Sequence, residues 1–351
     1  MIVDIHAHYV SPQLIGEAAR NGADYGVLIE QVAPDRERLS FTADGVRLRP
    51  FFAELCSLAL RLPYLDAQAV DVQVVSTWTD MAGDQLPAKQ GARWARLQNA
   101  TLAADVAAAG SRFVAMGTLP MQDVSCALAE LDHLVEHLGI RSVEIGTNIN
   151  GRDLDHPELR PLWKRLADLE VFVLLHPPFK PVGLERAGDY FLNNLVSYPV
   201  DTTIAAARLI FSGILDELPG LTCCLAHGGG FLPYQIGRLD RGFAAHPACR
   251  QNLQRPPSEF LRAFYYDTLT HNLDALAYLS GMVGAARLLY GSDYPFEMLD
   301  ESGPARVSAL TSISPAEIDD VLANNACRLF GLSERSAVRQ APRQRLQRAT
   351  T

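Results

Sequence analysis

The first ten residues, Met1–Val10, read MIVDIHAHYV, and this stretch decides the fold. Its apolar, β-branched beginning predicts a buried strand over Met1–His8. Residues two apart in a strand point to the same face, so His6 and His8 lie side by side near its C-terminal end. Two neighbouring imidazoles can share one divalent cation. The alternative is a pair of ordinary buried or solvent-facing histidines, and the rest of the chain decides between the two.

Seven further apolar segments follow the first strand, with helix-like segments between them. After Ile2–His8, the predicted strands are Val70–Trp78, Arg112–Leu119, Ser142–Gly146, Val171–His176, Leu221–His227, Phe264–Leu269 and Arg287–Ser292. The predicted helices include Ala88–Ala109, Val124–Leu138, Pro161–Leu169 and Thr202–Leu218. Strands that are apolar throughout and alternate with helices indicate a covered parallel sheet. Eight such units favour an α/β fold of the (β/α)8 TIM-barrel type over an open doubly wound sheet.

The composition limits the class of protein and its partners. The chain has 351 residues, 48% of them hydrophobic, which is enough for a large core, and barrels of this length commonly form one domain. No apolar stretch reaches the length of a membrane span. The N-terminal segment is a predicted strand that contains Asp4, which is unlike a signal peptide. We therefore expect a cytoplasmic protein without membrane contact. The net charge of −9 argues against a nucleic-acid partner. A small anionic substrate would then need a local positive site.

One long insertion and one tail interrupt the regular alternation. The barrel domain is expected to cover residues 1–332, including an insertion at about residues 10–50, and a C-terminal tail follows at 333–351. Within the insertion, LSFTADGVRL at Leu39–Leu48 has two short alternating runs around Asp44-Gly45, which predicts a β-hairpin near the barrel mouth. The tail is rich in Arg, Gln and Ala, and a loose or partner-bound extension is expected there.

Chemically active side chains collect at the predicted strand ends. His176 ends VFVLLH, His227 ends TCCLAH and Asp293 ends RLLYGSD. Barrel enzymes build their sites at the C-terminal ends of the strands, so these side chains should converge with those of the first strand. His6, His8, His176 and Asp293 therefore predict a site for one divalent cation per chain, with an open position for water or substrate. Zinc is the expected metal, and manganese is the alternative.

His227 has two possible roles at such a site. It could be a fourth histidine ligand, or a base that takes a proton from metal-bound water, whose pKa a zinc ion lowers to about 7. Three glycines, Gly228–Gly230, follow it. They either leave room for substrate to approach the backbone or form a flexible loop.

Several motifs together resemble a known family. The HxH of the first strand, the histidines that end strands five and six, and the aspartate that ends strand eight resemble the metal-dependent amidohydrolase superfamily. The wording is similar to its aminocarboxymuconate-semialdehyde decarboxylase branch. The segments that carry this resemblance are LDAQAVDVQV (Leu65–Val74), HGGG, GRLDR (Gly237–Arg241), RPPSEF (Arg255–Phe260) and GSDYPF (Gly291–Phe296). The resemblance spans Ile2 to about Leu332, and it points to the branch more than to a substrate.

The resemblance implies roles for particular residues. It implies that the three histidines and Asp293 of the predicted site bind zinc and that His227 is the acid/base at the metal-bound water. We also predict a catalytic role for Asp293. The resemblance further implies that Arg49 binds a substrate carboxylate and that Arg238 reaches into the site of a neighbouring subunit, and hence a homodimer. Bidentate pairing of a guanidinium with a carboxylate is a usual way to hold an acid. The alternative for either arginine is a surface ion pair.

The chain differs from the family pattern in its pocket-forming loops. The decarboxylase branch has HPW after the strand-five histidine, whereas this chain has HPPFKP at His176–Pro181. Tyr190 or Phe191 is expected to replace the missing aromatic side chain, and Phe296 is expected to contact substrate. The segment Thr77–Asp80 also differs. These changes leave the metal ligands intact and affect the choice of substrate.

The sequence therefore predicts a zinc-dependent enzyme that removes CO2, without oxidation, from an unsaturated or aromatic carboxylic acid, as in the catabolism of aromatic compounds. A zinc-dependent hydrolase of an amide, a lactone or a C–C bond is the alternative, because it would use the same metal and base. A non-enzymatic binding protein on a barrel scaffold is disfavoured, since it would not need five convergent residues of this type.

Overall fold

Eight apolar segments pair in sequence order to form the predicted parallel (β/α)8 barrel, which confirms the expected fold. The structure is a computed structural model that describes residues 1–34 and 36–332; the tail expected at 333–351 lies outside the described residues. The strands are β1 (Val3–Asp4), β2 (His8–Tyr9), β3 (Val27–Ala33), β4 (Arg36–Phe41), β5 (Val72–Thr77), β6 (Phe113–Thr118), β7 (Ser142–Gly146), β8 (Asn148–Ile149), β9 (Arg152–Asp153), β10 (Phe172–His176), β11 (Thr222–Leu225), β12 (Phe264–Asp267) and β13 (Leu288–Leu289). The barrel order is β1, β5, β6, β7, β10, β11, β12 and β13, and every neighbouring pair is parallel.

The first barrel strand is split, where the sequence predicted a continuous one. β1 and β2 both pair with β5, but the backbone between them turns to the last strand. Ile5 N–H donates to the Tyr290 carbonyl at 2.9 Å, and His8 N–H donates to the Tyr294 carbonyl at 2.7 Å. These bonds join the first strand to the last strand. Between β1 and β2, Ala7 contacts both neighbours: its carbonyl accepts from Ser76 N–H at 2.9 Å, and it forms a parallel bridge with Tyr294.

Helices surround the barrel. They are α1 (Pro12–Tyr25), α2 (Leu62–Ala67), α3 (Ala88–Ala109), α4 (Val124–His137), α5 (Arg160–Asp168), α6 (Tyr198–Phe211), α7 (Ile214–Glu217), α8 (Leu232–Ala245), α9 (Leu273–Val283), α10 (Gly303–Ser308), α11 (Pro315–Asp319) and α12 (Asn325–Phe330). Their ends follow local sequence signals: Ser11 caps the N-terminus of α1, and Gly26 ends it in the left-handed conformation. Among the described residues, no helix combines the length and the apolarity that a bilayer crossing requires.

The insertion after β2 contains α1 and a small antiparallel sheet. Around Asp44 and Gly45, residues Ser40 and Arg47 form one antiparallel bridge, and Leu48 N–H donates to the Leu39 carbonyl at 2.9 Å. The longer partner of β4 is β3, which the sequence analysis did not predict. The sequence pattern did not reveal β3 because Glu30 and Gln31 interrupt its apolar residues, and the strand is partly exposed.

Two of the buried clusters hold the site in place. One fills the barrel with side chains from successive strands, among them Val3, Val74, Met116, Phe172 and Leu289. A second joins the insertion to the barrel mouth and includes Leu14, Phe41, Phe51, Trp78 and Trp94. Close-packed interiors resist deformation, so the insertion and the strand ends keep a defined relative position.

Candidate active site

The four predicted metal ligands meet at the barrel mouth. His6 lies between β1 and β2, His8 begins β2, His176 ends β10 and Asp293 follows β13. One ligand atom from each lies within 4.8 Å of the ligand atoms of the other three, and all four residues are buried. These four residues are called the metal cluster below.

Hydrogen bonds on the far side of the ring orient two of the histidines. His6 Nδ1 lies 2.8 Å from a carboxylate oxygen of Asp267, and His176 Nδ1 lies 2.9 Å from the carbonyl oxygen of Pro177. A carboxylate and a carbonyl oxygen accept hydrogen bonds, so Nδ1 carries a proton in both rings, and Nε2 is the nitrogen that remains to bind a metal ion. Both Nε2 atoms are buried without a hydrogen-bond partner in the part of the chain that the structure describes.

Glu144 on β7 connects two of the ligands through two hydroxyl groups. Its carboxylate accepts a hydrogen bond from Ser76 Oγ at 2.5 Å and another from Thr79 Oγ1. Ser76 Oγ lies 3.4 Å from His8 Nδ1, and Thr79 Oγ1 lies 2.9 Å from His176 Nδ1. Because each hydroxyl makes its shortest contact as a donor to Glu144, it accepts from the imidazole. One buried carboxylate therefore fixes the protonated nitrogen of both histidines.

The donor set fits a divalent cation. Three imidazoles and one carboxylate converge, and two of their nitrogens are buried without partners, which is rare unless something binds there. Burial and the neighbouring histidines hold the pKa of His176 well below its usual value, so its ring is neutral. Burial opposes ionisation of Asp293, but the adjacent rings of His227 and His8 keep its pKa well below the usual value. A neutral imidazole and an ionised carboxylate are the forms that bind zinc and similar metals.

His6 has the opposite electrostatic environment. Burial lowers the pKa of its ring, but the hydrogen bond to Asp267 and the negative charge of Asp293 outweigh burial and raise the pKa to about 9. A proton on His6 balances these carboxylates, and a cation at Nε2 would take over the same role. Metal binding and protonation of His6 therefore compete.

His227 lies beside the metal cluster. Its Nε2 is 3.7 Å from Asp293 Oδ2, and its ring centre is 5.5 Å from that of His6. Its backbone is left-handed, with φ of +56°, and its N–H donates to Asp267 at 2.9 Å. Asp267 thus holds both the ring of His6 and the backbone of His227. Its imidazole is within reach of a molecule bound at the cluster.

The glycines after His227 have a structural reason that the sequence did not reveal. All three have positive φ. A Cβ added to Gly229 would lie 2.6 Å from the Tyr266 ring, and one added to Gly230 would lie 2.1 Å from the Pro199 carbonyl oxygen. The turn therefore requires glycine for its backbone conformation and its close packing, and the predicted room for substrate is not the reason for Gly229 and Gly230.

A cavity of about 180 Å³ adjoins the metal cluster and includes His176, His227 and Asp293 in its lining. Its other side is called the pocket wall below and comprises Arg49, Trp78, Asp80, Phe296 and Glu297. Sites for drug-sized ligands have volumes of roughly 300–1,000 Å³. A second cavity of about 620 Å³ shares Asn194, Tyr198, His227 and Met298 with it. The small cavity therefore fits a single ring, and a larger substrate could extend past His227 into the second cavity.

Arg49 and Phe296, the predicted substrate-binding residues, both line this cavity. The guanidinium of Arg49 lies 5.0 Å from the ring centre of Phe52 and 5.2 Å from that of Phe296. Its Nη1 donates to Glu297 Oε2 at 2.8 Å. The ring of Phe296 in turn lies 5.4 Å from the ring of His8. A positive charge and an aromatic face are thus placed next to the metal cluster.

Two other predicted substrate-binding residues lie elsewhere. Tyr190 is 88% exposed and is not part of the cavity lining, whereas the adjacent Phe191 is. Both have positive φ, which turns the backbone sharply at this point. The prediction of Tyr190 as a pocket residue is therefore corrected to Phe191. Arg238 is exposed on α8 and does not line the cavity of its own chain.

Three acidic residues at the site were not singled out from the sequence. Asp267 ends the apolar strand FYYD, and Glu144 interrupts the apolar strand SVEIG. A polar residue at the end of a barrel strand is the same signal that identified His176, so Asp267 could have been found. Glu144 gives a different signal, a charged residue inside an apolar strand. Asp80 lies in the segment that was noted only as different from the family pattern.

The sequence matches known proteins over most of its length. A family model described as amidohydrolase matches residues 3–332. The chain is 30% identical to 2-amino-3-carboxymuconate-6-semialdehyde decarboxylase of Dictyostelium discoideum, over 94% of this chain and 91% of that protein. It is 29% identical to gamma-resorcylate decarboxylase of Rhizobium sp. (strain MTP-10005), over 78% of this chain and 86% of that protein.

A solved structure shares the fold. The crystal structure of Metarhizium anisopliae IDCase in apo form superposes with a TM-score of 0.80 and 25% sequence identity, covering 94% of this chain and 97% of that chain. The similarity extends over the whole barrel, so the strand ends that carry the metal cluster belong to a shared framework.

Proposed function

This chain belongs to the amidohydrolase family, in its aminocarboxymuconate-semialdehyde decarboxylase-like branch, and on that basis we propose that it is a zinc-dependent, non-oxidative decarboxylase of an aromatic or unsaturated carboxylic acid. The family membership confirms the resemblance seen in the sequence. Both relatives named above are decarboxylases, and the chain is accordingly a carboxy-lyase. The observation that carries the proposal is the buried metal cluster with His227 beside it.

The metal cluster would hold the cation, with His6, His8 and His176 as neutral nitrogen ligands and Asp293 as the anionic ligand. A divalent cation in such a site acts as a Lewis acid and orients the substrate's oxygen atoms. The set of three imidazoles and one carboxylate favours zinc, while manganese is compatible with the carboxylate. Asp267 and Glu144 hold the ligands in position through their hydrogen bonds.

Arg49 and the aromatic side chains orient the substrate. Arg49 would exchange its exposed contact with Glu297 for a carboxylate of the substrate, which forms a charge-assisted hydrogen bond. Trp78 and Phe296, with ring centres 5.4 Å apart, present aromatic surface on the same wall. A planar, unsaturated acid can pack against these rings while its carboxylate meets positive charge.

His227 supplies the proton that the reaction needs. When the bond between the carboxylate carbon and the rest of the molecule breaks, its electron pair stays on the remaining carbon and CO2 leaves. That carbon then takes one proton, so the balanced reaction consumes one proton for each CO2. His227 Nε2, next to Asp293 Oδ2, is placed to donate it as a general acid.

A homodimer is part of the proposal. Arg238 is exposed on α8 and lies away from the cavity of its own chain, so any contact with substrate must occur in another subunit. The family resemblance sends the matching arginine across a dimer interface. In a two-fold dimer each subunit would lend its Arg238 to the other site.

Product analysis tests the reaction. Zinc- or manganese-loaded protein is incubated with ortho-hydroxy aromatic acids and muconate semialdehydes, and CO2 and organic products are measured. The proposal expects one CO2 per substrate consumed, and no CO2 from protein treated with chelator. Metal-dependent formation of a hydrolysed acid from an amide or lactone, with no CO2 from any acid, would establish the hydrolase instead.

A further inference from the structure

Asp80 lies on the pocket wall and has no part in the mechanism described above. It is the middle residue of a short 3₁₀ turn, Thr79–Met81, that follows β5. The preceding residue, Thr79, is hydrogen-bonded to both His176 and Glu144. The turn that carries Asp80 is therefore fixed to the metal cluster, and its position relative to a bound substrate is defined.

The carboxylate of Asp80 lacks a hydrogen-bond donor. It is half-buried, and no residue within 1–34 or 36–332 donates a hydrogen bond to its side chain. Its oxygens are not among the fully buried unpartnered atoms of the described residues, so they face the cavity and lose only part of their hydration. Burial accordingly raises the pKa of Asp80 to about 7, although the positive charge of Arg49 opposes this effect.

The groups around Asp80 indicate what could supply the missing donor. Asp80 acts electrostatically on Arg49 and on Tyr198, and both residues line the same cavity. Arg49 and the cation site attract the carboxylate of a substrate, so a separate part of the same molecule can face Asp80. An apolar group there would leave Asp80 unpaired, and a second carboxylate would be repelled by it.

We propose that Asp80 is a specificity residue that accepts a hydrogen bond from a hydroxyl or amino group of the substrate. This inference rests on the proposed function, because it places a carboxylic acid in the same cavity. It assigns to Asp80 the recognition of a hydroxyl or amino group that such an acid carries in addition to its carboxylate. A site that hydrogen-bonds a substrate donor rejects analogues without it, because the buried acceptor then stays unpaired.

Matched ligands measure this contact. Calorimetry on the metal-loaded protein compares 2-, 3- and 4-hydroxybenzoate, each with its methoxy counterpart, which keeps the oxygen but cannot donate. The measurement is made at about pH 8.5, where a carboxyl with a pKa of about 7 is ionised. At the ring position that faces Asp80, the hydroxy acid should then bind about 10–100-fold more tightly than the methoxy acid, as expected for a hydrogen bond to a charged group. In Asp80→Ala this preference should fall to less than about threefold. Asp80→Asn keeps the shape without the charge and should lose most of the preference.

Asp84 provides the matched control. Asp84 lies four residues after Asp80 and is also half-buried. Burial raises the pKa of Asp84 to about 7 as well. Asp84 lines a small neighbouring cavity, however, and does not line the cavity at the metal cluster. Asp84→Asn should keep the wild-type preference for the hydroxy acid. Equal binding of all three pairs by the wild type would overturn the inference. So would a preference that is unchanged in both Asp80 variants.

Measuring CO2 release in parallel separates this inference from the proposed function. If no acid releases CO2 but Asp80→Ala still abolishes the preference for the hydroxy acid, then the reaction was wrong and the binding role stands. If CO2 is released and the preference does not depend on Asp80, then the reaction stands and the specificity role is overturned. In turnover, the variants should raise KM for the hydroxy acid more than they lower kcat.

Discussion

The metal cluster and the pocket wall face the same cavity but are built differently. The four residues of the cluster are buried, lie at the ends of barrel strands and are held by further buried groups such as Asp267 and Glu144. The wall comes from the insertion and from loops, and its Arg49–Glu297 pair has side chains that are 38% and 63% exposed. The comparison teaches that reaction chemistry is built into the rigid barrel, while substrate choice is left to loops that can change without disturbing it.

Removing a ligand of the metal cluster should have the largest effect. His176→Ala should lower the bound metal well below one ion per chain and lower kcat/KM by about 10³-fold or more, because the Lewis acid contributes several kcal/mol. Elemental analysis and CO2 release measure the two effects. His137→Ala, which changes an exposed histidine on α4, should change neither. A His176→Ala protein with full metal and full activity would show that the cluster is not the metal site.

Changing the acid/base residue beside the cluster should reduce turnover while the metal stays bound. His227→Asn should lower kcat by about 10²–10⁴-fold, the usual contribution of a positioned acid/base group. Asparagine is suitable because it tolerates the left-handed backbone that His227 adopts. Metal analysis accompanies the kinetics. If this variant loses its metal, then His227 is a ligand and belongs to the cluster.

The arginines should affect binding more than turnover. Arg49→Ala and Arg238→Ala should each raise KM by roughly 10–150-fold, since a hydrogen bond between charged groups contributes about 1.5–3 kcal/mol. Steady-state kinetics at saturating metal measures this effect. Arg47→Ala and Arg241→Ala are the controls, because both side chains are exposed and lie close in sequence to the residues they match.

A mixture of the two arginine variants shows whether the pocket wall extends across subunits. If each site combines Arg49 of one chain with Arg238 of the other, heterodimers have one complete site, and exchange should restore about a quarter of wild-type activity. Proven exchange without recovery would mean that Arg238 does not complete the partner's site.

The groups that support the metal cluster should have the smallest effect on activity at saturating metal. Asp267→Asn and Glu144→Gln should each weaken metal binding by about 10–100-fold, because they orient the ligand rings. Metal titration in a competing chelator measures the affinity, and activity should return when metal is in excess. Glu130→Gln changes a buried carboxylate that contacts Arg96 and Asn99, far from any ligand, and should leave metal affinity unchanged. If all three variants bound metal with equal affinity, Asp267 and Glu144 would not contribute to metal binding.

Periodicity in the sequence was sufficient for the barrel and for the metal cluster. Each ligand lies within the last three residues of a predicted apolar strand or immediately after it, and parallel strands bring their C-terminal ends to one face. In a parallel barrel, a position at a strand end in the sequence implies a position at the barrel mouth. The sequence alone was therefore enough to group His6, His8, His176 and Asp293. The split of the first strand was not predictable, because it lies where the backbone of Ile5–His8 bonds to residues nearly 290 positions away.

The residues of the pocket wall were harder to predict from the sequence, because they are far apart in the chain and only folding brings them into contact. Arg49 and Glu297 are 248 positions apart, yet their side chains are hydrogen-bonded. Tyr190 and Phe191 are adjacent and equally aromatic, and only the backbone turn between them decides which one lines the cavity. The feature that distinguishes Asp80 is that no described residue donates a hydrogen bond to its carboxylate. A sequence does not show which side chains lack a hydrogen-bond partner.

The sequence by itself therefore determined the fold class, the metal-binding residue types and the family, because each depends on short-range spacing and on side-chain chemistry. The tertiary structure decided which carboxylates orient the ligands, which aromatic residue enters the pocket and which acidic side chain is left to meet the substrate. Those properties depend on loop packing and burial, which arise from contacts between residues far apart in the chain.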